Sequence, residues 1–370
     1  MKLENPQAKK PRFILIGGFL GAGKTTSILQ LAQRLGPTAG TLGVITNDEG
    51  TQLVDTPQLR TAGFIVEEIS GGTFASQMSP FVEAIRRLID SRCQIIFAEC
   101  SGTSAELRSK VLDVLAAELG DALEIAPLSV VLDSVRAVRV LRLQSGGGFS
   151  EKLAYIYRKQ IEEAELLVAN KTDLFPAAQL SQLREVIGEL APNATLLDVS
   201  NRHATGLDEW LNCLTGKQHT TAHLSALDSG VFADAQALLG WLNCTVNVSS
   251  VRYFDGAKLL TDLATAIQSA LKQDAVEIAH LKILLRAEDY SEGGEEFAIA
   301  NLVRSDASPE LHGEIREPVQ RAELILNLRA ETKPDLLHAA VNRALLEIVE
   351  RSPELFARME HCEHFRPAAH

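Results

Sequence analysis

Eight consecutive residues, Gly18-Phe19-Leu20-Gly21-Ala22-Gly23-Lys24-Thr25, fit the spacing G-x-x-x-x-G-K-[ST] in full. They follow directly on an apolar run at residues 13–16 and lead straight into Thr26, Ser27, Ile28, Leu29, Gln30 and Leu31. That order reads strand, glycine loop, helix. The glycines let backbone N–H groups turn inward around phosphate oxygens, at the positive end of the helix that follows. Lys24 neutralises the β and γ phosphates, and the Thr25 hydroxyl reaches the Mg²⁺ that bridges them. Gly18, Gly21, Ala22, Gly23, Lys24, Thr25 and Thr26 are therefore expected to cradle a nucleoside triphosphate, with Lys24 also serving catalysis.

With 370 residues, of which 46% are hydrophobic, the chain has room for two domains with a core each. A formal net charge of -12 argues against nucleic acid and against an anionic membrane surface. Residues 1–12 are polar and the apolar run that follows stops at Gly17, too short for a signal-peptide core or a membrane span. A cytoplasmic protein is expected. Its five cysteines, Cys93, Cys100, Cys213, Cys244 and Cys362, are scattered and odd in number, which fits reduced thiols.

From residue 13 to 216, short β-like runs at 43–46, 95–98, 128–132, 166–169 and 196–199 alternate with helical patterns. Such alternation predicts an α/β domain, residues 1–216, with a mostly parallel sheet covered by helices on both faces. Residues 217–235 shift to a linker composition. A second domain, residues 236–356, reads as a strand at 241–249, a helix at 257–271, strands at 279–285, 297–303 and 322–330, and a helix at 334–350. Short strands interleaved with two helices predict a smaller α+β sandwich of ferredoxin-like type. Residues 357–370 look like a tail.

Asn170-Lys171-Thr172-Asp173 follows the run at 166–169, where an open α/β sheet places its ligand-binding loops. This spacing reads guanine. The Asp173 carboxylate can accept from guanine N1–H and its exocyclic amine, whereas adenine offers neither donor there. Asn170 can brace the loop, and Ser200, with Asn201, would close over the base. Glu99-Cys100-Ser101-Gly102 ends the run at 95–98. In such a domain this place carries the acid that holds the Mg²⁺ shell, Glu99, and a glycine, Gly102, whose N–H can meet the γ-phosphate. After the second strand, Asn47-Asp48-Glu49-Gly50-Thr51 is a candidate switch loop, with Asp48 or Glu49 placed to order water or magnesium, though a plain surface loop reads the same way.

Taken together, these residues resemble the CobW family of GTPases, relatives of the hydrogenase and urease accessory GTPases. The family's G-F-L-G-A-G-K-T-T stands at residues 18–26, and its Asn-Glu-Phe-Gly-Glu switch is similar to Asn47-Asp48-Glu49-Gly50-Thr51, with Asp55 where a later Asp falls. Glu99-Cys100-Ser101-Gly102 matches the Glu-x-x-Gly of this branch, and Leu239-Gly240-Trp241-Leu242-Asn243 looks like the entry into the family's C-terminal domain. The resemblance implies a Mg²⁺-dependent GTPase, cycling between GTP and GDP, that serves as accessory factor to a metal- or corrinoid-dependent client protein. No glutamine follows Gly102 to orient water, so turnover is expected to be slow until a client or a second subunit, as in a homodimer, completes the site.

One departure bears on metal. Where the family places Cys-x-Cys-Cys, this chain has Ser70-Gly71-Gly72-Thr73-Phe74-Ala75-Ser76, without a thiol, and Thr51 replaces the second Glu of the switch. Hydroxyls are poor substitutes for the thiolates that hold Zn²⁺ at about 2.3 Å. Two other places offer donors: His361, Cys362 and His364 in the tail, with His370 beyond, and His219 and His223 in the linker. Either could hold Zn²⁺ or Co²⁺, although a solvated polar segment is the plainer reading. An alternative function is thus a zinc or cobalt chaperone that uses the tail; a P-loop kinase or ligase is a second, which the guanine motif disfavours.

Overall fold

β1 (Arg12–Gly17) is the apolar run ahead of the glycine loop, and its last five residues are buried in a computed structural model of the chain. The structure describes residues 10–36, 39–48, 54–144, 148–216, 227–288, 296–315 and 318–367. β1 is the axis of a sheet that also holds β2 (Leu42–Asp48), β3 (Ile65–Ser70), β4 (Ile95–Glu99), β5 (Glu124–Ile125), β6 (Ser129–Asp133), β7 (Leu166–Asn170) and β8 (Thr195–Asp198). Their order is β3-β2-β4-β1-β6-β7-β8, with β5 beside β1, and every pairing is parallel.

Parallel neighbours need crossovers, and helices supply them. The helix Lys24–Leu35 buries Ser27, Ile28 and Leu31 on one side, and Met78–Asp90 buries Phe81, Val82, Ala84, Ile85 and Leu88 at the three- and four-residue spacing of an amphipathic helix. Ile14, Ile16, Val44, Phe97, Val131, Val168 and Leu197 carry the core from strand to strand. Because the order runs outward from β1 in both directions, a crevice opens beyond its carboxyl end, where such sheets bind ligands.

The break in contacts falls after Asp228, and the short segment Phe149–Leu153 groups with the second unit. That unit is an antiparallel sheet of β9 (Leu239–Phe254), β10 (Ile278–Ala287), β11 (Phe297–Leu302), β12 (Glu310–Glu314), β13 (Val319–Glu331) and β14 (Leu355–Phe365), ordered β12-β11-β10-β13-β9-β14. Leu242, Cys244, Val246 and Val248, every second residue of β9, meet Leu260, Leu263 and Ile267 of the helix Gly256–Gln273 and Leu337, Val341 and Ile348 of the helix Pro334–Arg351 in one core. With the β11–β12 hairpin set aside, the strands and helices follow the β-α-β-β-α-β order of a ferredoxin-like sandwich, as expected.

Three expectations need correction. Residues 357–365 are no tail: they complete β14, and Ala357, Met359 and Cys362 pack on the core. The period of two that marks a strand is broken there by a bulge between Met359 and His361, and the residues between the apolar ones are charged, as suits an edge strand. Of the linker, residues 217–226 lie outside the described residues, while Ser229–Gln236 is helical. β3, β5 and β12 were not foreseen, being short or polar. Among the described residues no helix is long and apolar enough to cross a membrane.

Candidate nucleotide-binding site

Two features force the glycine loop into its path. Gly18 has φ 129°, and a Cβ there would stand 2.2 Å from the Val131 carbonyl oxygen. Gly23 has φ 98°, and a Cβ there would stand 2.5 Å from Asn170 Nδ2. Only glycine combines these angles with such close neighbours. Lys24 opens the helix Lys24–Leu35, is buried, and its Nζ donates to Gly18 O at 2.9 Å and Phe19 O at 3.4 Å. Thr25 Oγ1 donates to Glu99 Oε1 at 3.0 Å. A hydroxyl and a carboxylate, hard oxygen donors side by side below the loop, are the pair of ligands that Mg²⁺ accepts. Thr26 is half-buried one residue further on, and the Gly102 carbonyl takes a hydrogen bond from Gln160 Nε2 at 3.1 Å.

The second predicted cluster arrives from β7 and β8. Asn170 Nδ2 donates to Ala22 O at 2.9 Å, while its Oδ1 accepts from Lys171 N at 2.8 Å and from Asn201 N at 3.2 Å. One amide thus binds the glycine loop to the loops that follow β7 and β8. Asp173 Oδ1 accepts from Ser200 Oγ at 2.6 Å, and the same hydroxyl accepts from His203 N at 3.2 Å. Gly18, Gly21, Ala22, Gly23, Lys24, Thr25, Glu99, Asn170, Lys171, Asp173 and Ser200 all gather at the carboxyl ends of β1, β4, β7 and β8. Asp48 closes β2 opposite Ser70, and its backbone alone is described; Glu49, Gly50 and Thr51 lie outside the described residues.

Sequence reasoning missed two supports, Asp133 and Arg136. Asp133, at the end of β6, is buried and accepts from Lys171 Nζ at 2.7 Å and Arg136 N at 3.1 Å. Burial alone would raise its carboxyl; the Lys171 ammonium and the Arg136 guanidinium outweigh that and hold it below its ordinary value. Arg136, itself buried, donates from NH1 to Leu20 O at 2.7 Å, and so fixes the glycine loop from behind. Asn201 Nδ2 donates to Ser27 Oγ at 2.8 Å. An acid closing a strand and capping the next helix was the available signal for Asp133; Arg136 carried none.

The model of the family described as CobW/HypB/UreG, nucleotide-binding domain, matches residues 12–198. The chain belongs to that family. A curated relative, the zinc chaperone CobW of a Sinorhizobium species, is 28% identical over 217 residues, which span 53% of this chain and 60% of the relative. Among solved structures, HypB from Helicobacter pylori in complex with nickel is 20% identical at TM-score 0.43, covering 59% of this chain and 93% of that one. Zn(II)-bound YjiA GTPase from E. coli is 14% identical at TM-score 0.37, covering 90% and 98%.

In this CobW/HypB/UreG chain the loop in place of Cys-x-Cys-Cys is closed on itself. Thr73 N donates to Ser76 Oγ at 3.0 Å, Ser76 Oγ donates to Thr73 O at 3.1 Å, and Phe74 is buried and stacked on Phe81 at 3.9 Å. Asn47 bridges the loop to the end of β4, donating to Gly72 O at 2.6 Å and accepting from Ser101 N at 3.3 Å. The nearby Cys100 thiol is pushed well up by burial, which makes it a poor metal donor. Among the described residues no group of three His, Cys, Asp or Glu is arranged to hold a metal ion. The set His361, Cys362 and His364 is therefore corrected: all three lie on β14, and His361, next to Cys362 along the strand, faces away from the side that Cys362 and His364 share. His219, His223 and His370 lie outside the described residues.

Proposed function

We propose that the chain binds GTP with Mg²⁺ and hydrolyses it slowly, as an accessory factor that remodels or loads a metal- or corrinoid-dependent client. The observation that carries the reading is Asn170, whose amide ties Ala22 of the phosphate loop to Lys171 and Asn201, the neighbours in sequence of the Asp173 turn and of Ser200. Lys24 would exchange its loop carbonyls for the β and γ phosphate oxygens. Thr25 and Glu99 would hold Mg²⁺, directly and through its water shell, and the bound ion would neutralise charge that develops on the transferred phosphoryl group. Asp173 would read the guanine edge, with Ser200 and Lys171 holding its loop; Gly102 and the segment that begins at Asp48 would sense the γ-phosphate.

GTP is expected to bind about two orders of magnitude more tightly than ATP, because an adenine leaves Asp173 without its donors at about 1 to 3 kcal/mol and loses their contacts as well. Asp173→Asn should weaken GTP and favour xanthosine triphosphate. Equal affinities for GTP and ATP by calorimetric titration would overturn the guanine assignment. The missing thiols at residues 73–76 favour client remodelling over zinc carriage by that loop, and stoichiometric zinc in the purified chain would reverse that preference.

A further inference from the structure

Cys244 and Cys362 are far apart in sequence and directly opposite each other in the second sheet, where β14 pairs antiparallel with β9. Directly opposed residues of an antiparallel pair have Cα atoms about 4.5 to 5.5 Å apart, inside the span of about 4.4 to 6.8 Å that a disulfide bridges. Both side chains point to the same face, the one covered by the helices, and their thiols are within hydrogen-bonding distance. Cys244 is fully buried, whereas Cys362 is half-buried on the edge strand, open to small reagents.

The surroundings of Cys362 differ from those of the other cysteines. His364, two residues along the same face, hydrogen-bonds the Cys362 thiol. Its Nε2 lies 3.1 Å from Asp335 Oδ1 on the helix Pro334–Arg351, and its ring stacks on His338 with centroids 4.9 Å apart. The acid orients the imidazole and the imidazole meets the thiol, an arrangement that favours thiolate.

We propose that Cys244 and Cys362 form a reversible disulfide, with Cys362 as the attacking thiol and Cys244 as the resolving one. The hydrogen bond from Cys244 and then that of His364 hold the Cys362 thiol below its ordinary value, whereas its partner is raised by the same bond and by burial. The oxidant is a low-molecular-weight disulfide, RSSR. The Cys362 thiolate attacks one of its sulfurs, the S–S bond breaks, and RS⁻ leaves and takes up the proton shed by the Cys362 thiol. Cys244, giving up its own proton, then attacks Cys362 Sγ and expels the second thiol. Two protein thiols are oxidised by two electrons, and RSSR is reduced to two RSH. Because Cys244 already stands against Cys362, the second step is intramolecular and competes well despite burial. The bond would fasten the edge strand to β9.

The test exposes the reduced full-length chain to glutathione disulfide near neutral pH, followed by alkylation of remaining thiols and peptide mass mapping. Two of the five thiols should be lost, with a Cys244–Cys362 cross-linked peptide lighter by two hydrogens. Cys362→Ser should leave Cys244 unmodified, whereas Cys244→Ala should trap a mixed glutathione disulfide on Cys362. His364→Ala should slow the modification of Cys362 about tenfold without lowering the melting temperature. Five intact thiols, a cross-link to any other cysteine, or a persistent mixed disulfide on the unaltered chain would overturn the proposal. So would an unchanged rate in His364→Ala. If Cys244→Ala does not fold, the cross-link on the unaltered chain and the His364 rate still decide.

Discussion

The carboxyl edge of the parallel sheet and the outer edge of the antiparallel sheet place chemically active side chains by opposite means. At the first, a run of eight residues dictates its own backbone: Gly18 and Gly23 take positive φ against Val131 and Asn170, and the loop has no other path. At the second, Cys244, Cys362, His364 and Asp335 come together only through strand register and the packing of a helix. A site built from local backbone constraint can be read from a string of letters; one built from register cannot. The first is also braced by residues outside that run, since Asn170 bonds Ala22, Arg136 bonds Leu20, and Asp133 holds Lys171, which bonds Gly21.

That contrast breaks most readily at Lys24. Lys24→Ala should weaken triphosphate binding by more than about a hundredfold, because a buried ammonium aimed into the loop has no substitute. Glu99→Ala should leave binding within a few-fold and lower Mg²⁺-dependent hydrolysis instead, since it would act through the metal shell. Nucleotide titration and phosphate release measure the two effects. An identical loss of binding in both variants would mean that Glu99 is a structural strut for Thr25, and the first edge would then be less modular than described.

A truncation before Leu355 tests the second edge. A tail could be removed without cost, but β14 covers β9 and adds Leu355, Ala357, Met359 and Cys362 to the core. Its loss should destabilise the second domain by several kcal/mol, in line with about 1.5 to 3 kcal/mol for each large apolar side chain uncovered. Calorimetry should show the transition of the second domain shifted down or absent while that of the first is kept. An unchanged profile would restore the tail reading and remove the register that opposes the two cysteines.

The alternating pattern of the first domain, its glycine loop, the Asn170–Asp173 turn and Glu99 were legible because each carries a local rule: strand runs bounded by loops, phosphate-binding glycines, a polar turn after a strand. The ferredoxin-like order of the second domain was legible for the same reason, from long helices and apolar strands. What escaped was set by distant partners. Arg136 matters because β6 brings it behind Leu20, and nothing in Ser134-Val135-Arg136 says so. β14 escaped because a bulge at Glu360 interrupts its period of two. The metal set failed on the same ground: His361 is next to Cys362 in sequence, yet a strand turns neighbours to opposite faces, and the companions of Cys362 are Cys244 and His364.

A smaller effect is expected at Glu163, where the first domain buries an acid among backbone donors. Its Oε2 accepts from Leu107 N at 2.6 Å, and burial pushes the carboxyl up to about 8, the hydrogen bonds from Leu107 and Arg108 opposing. The folded chain therefore binds a proton that the unfolded chain releases near 4.5. Stability from this group is full below that value and is lost as pH rises towards 8, at no more than about 1.4 kcal/mol per pH unit. Denaturant titrations from pH 5 to 8 should show the slope in the unaltered chain and a flatter profile in Glu163→Gln. Parallel profiles would show that the buried carboxyl does not titrate in this window.

The smallest expected effect is none at all, and it bears on the family's metal chemistry. Thr73→Ala and Ser76→Ala should not change the zinc content of the purified chain, because neutral hydroxyls bind Zn²⁺ poorly and these two already satisfy each other across the turn. Restoring thiols as Thr73→Cys, Ala75→Cys and Ser76→Cys should instead create zinc binding near one equivalent, provided that the turn opens to aim the three sulfurs at one point. Metal analysis after gel filtration, with and without GTP, separates the outcomes. Zinc that is present in the unaltered chain and lost on changing Thr73 or Ser76 would place a metal site on the nucleotide edge after all, and the two edges would then differ in how they are encoded but not in which of them carries metal.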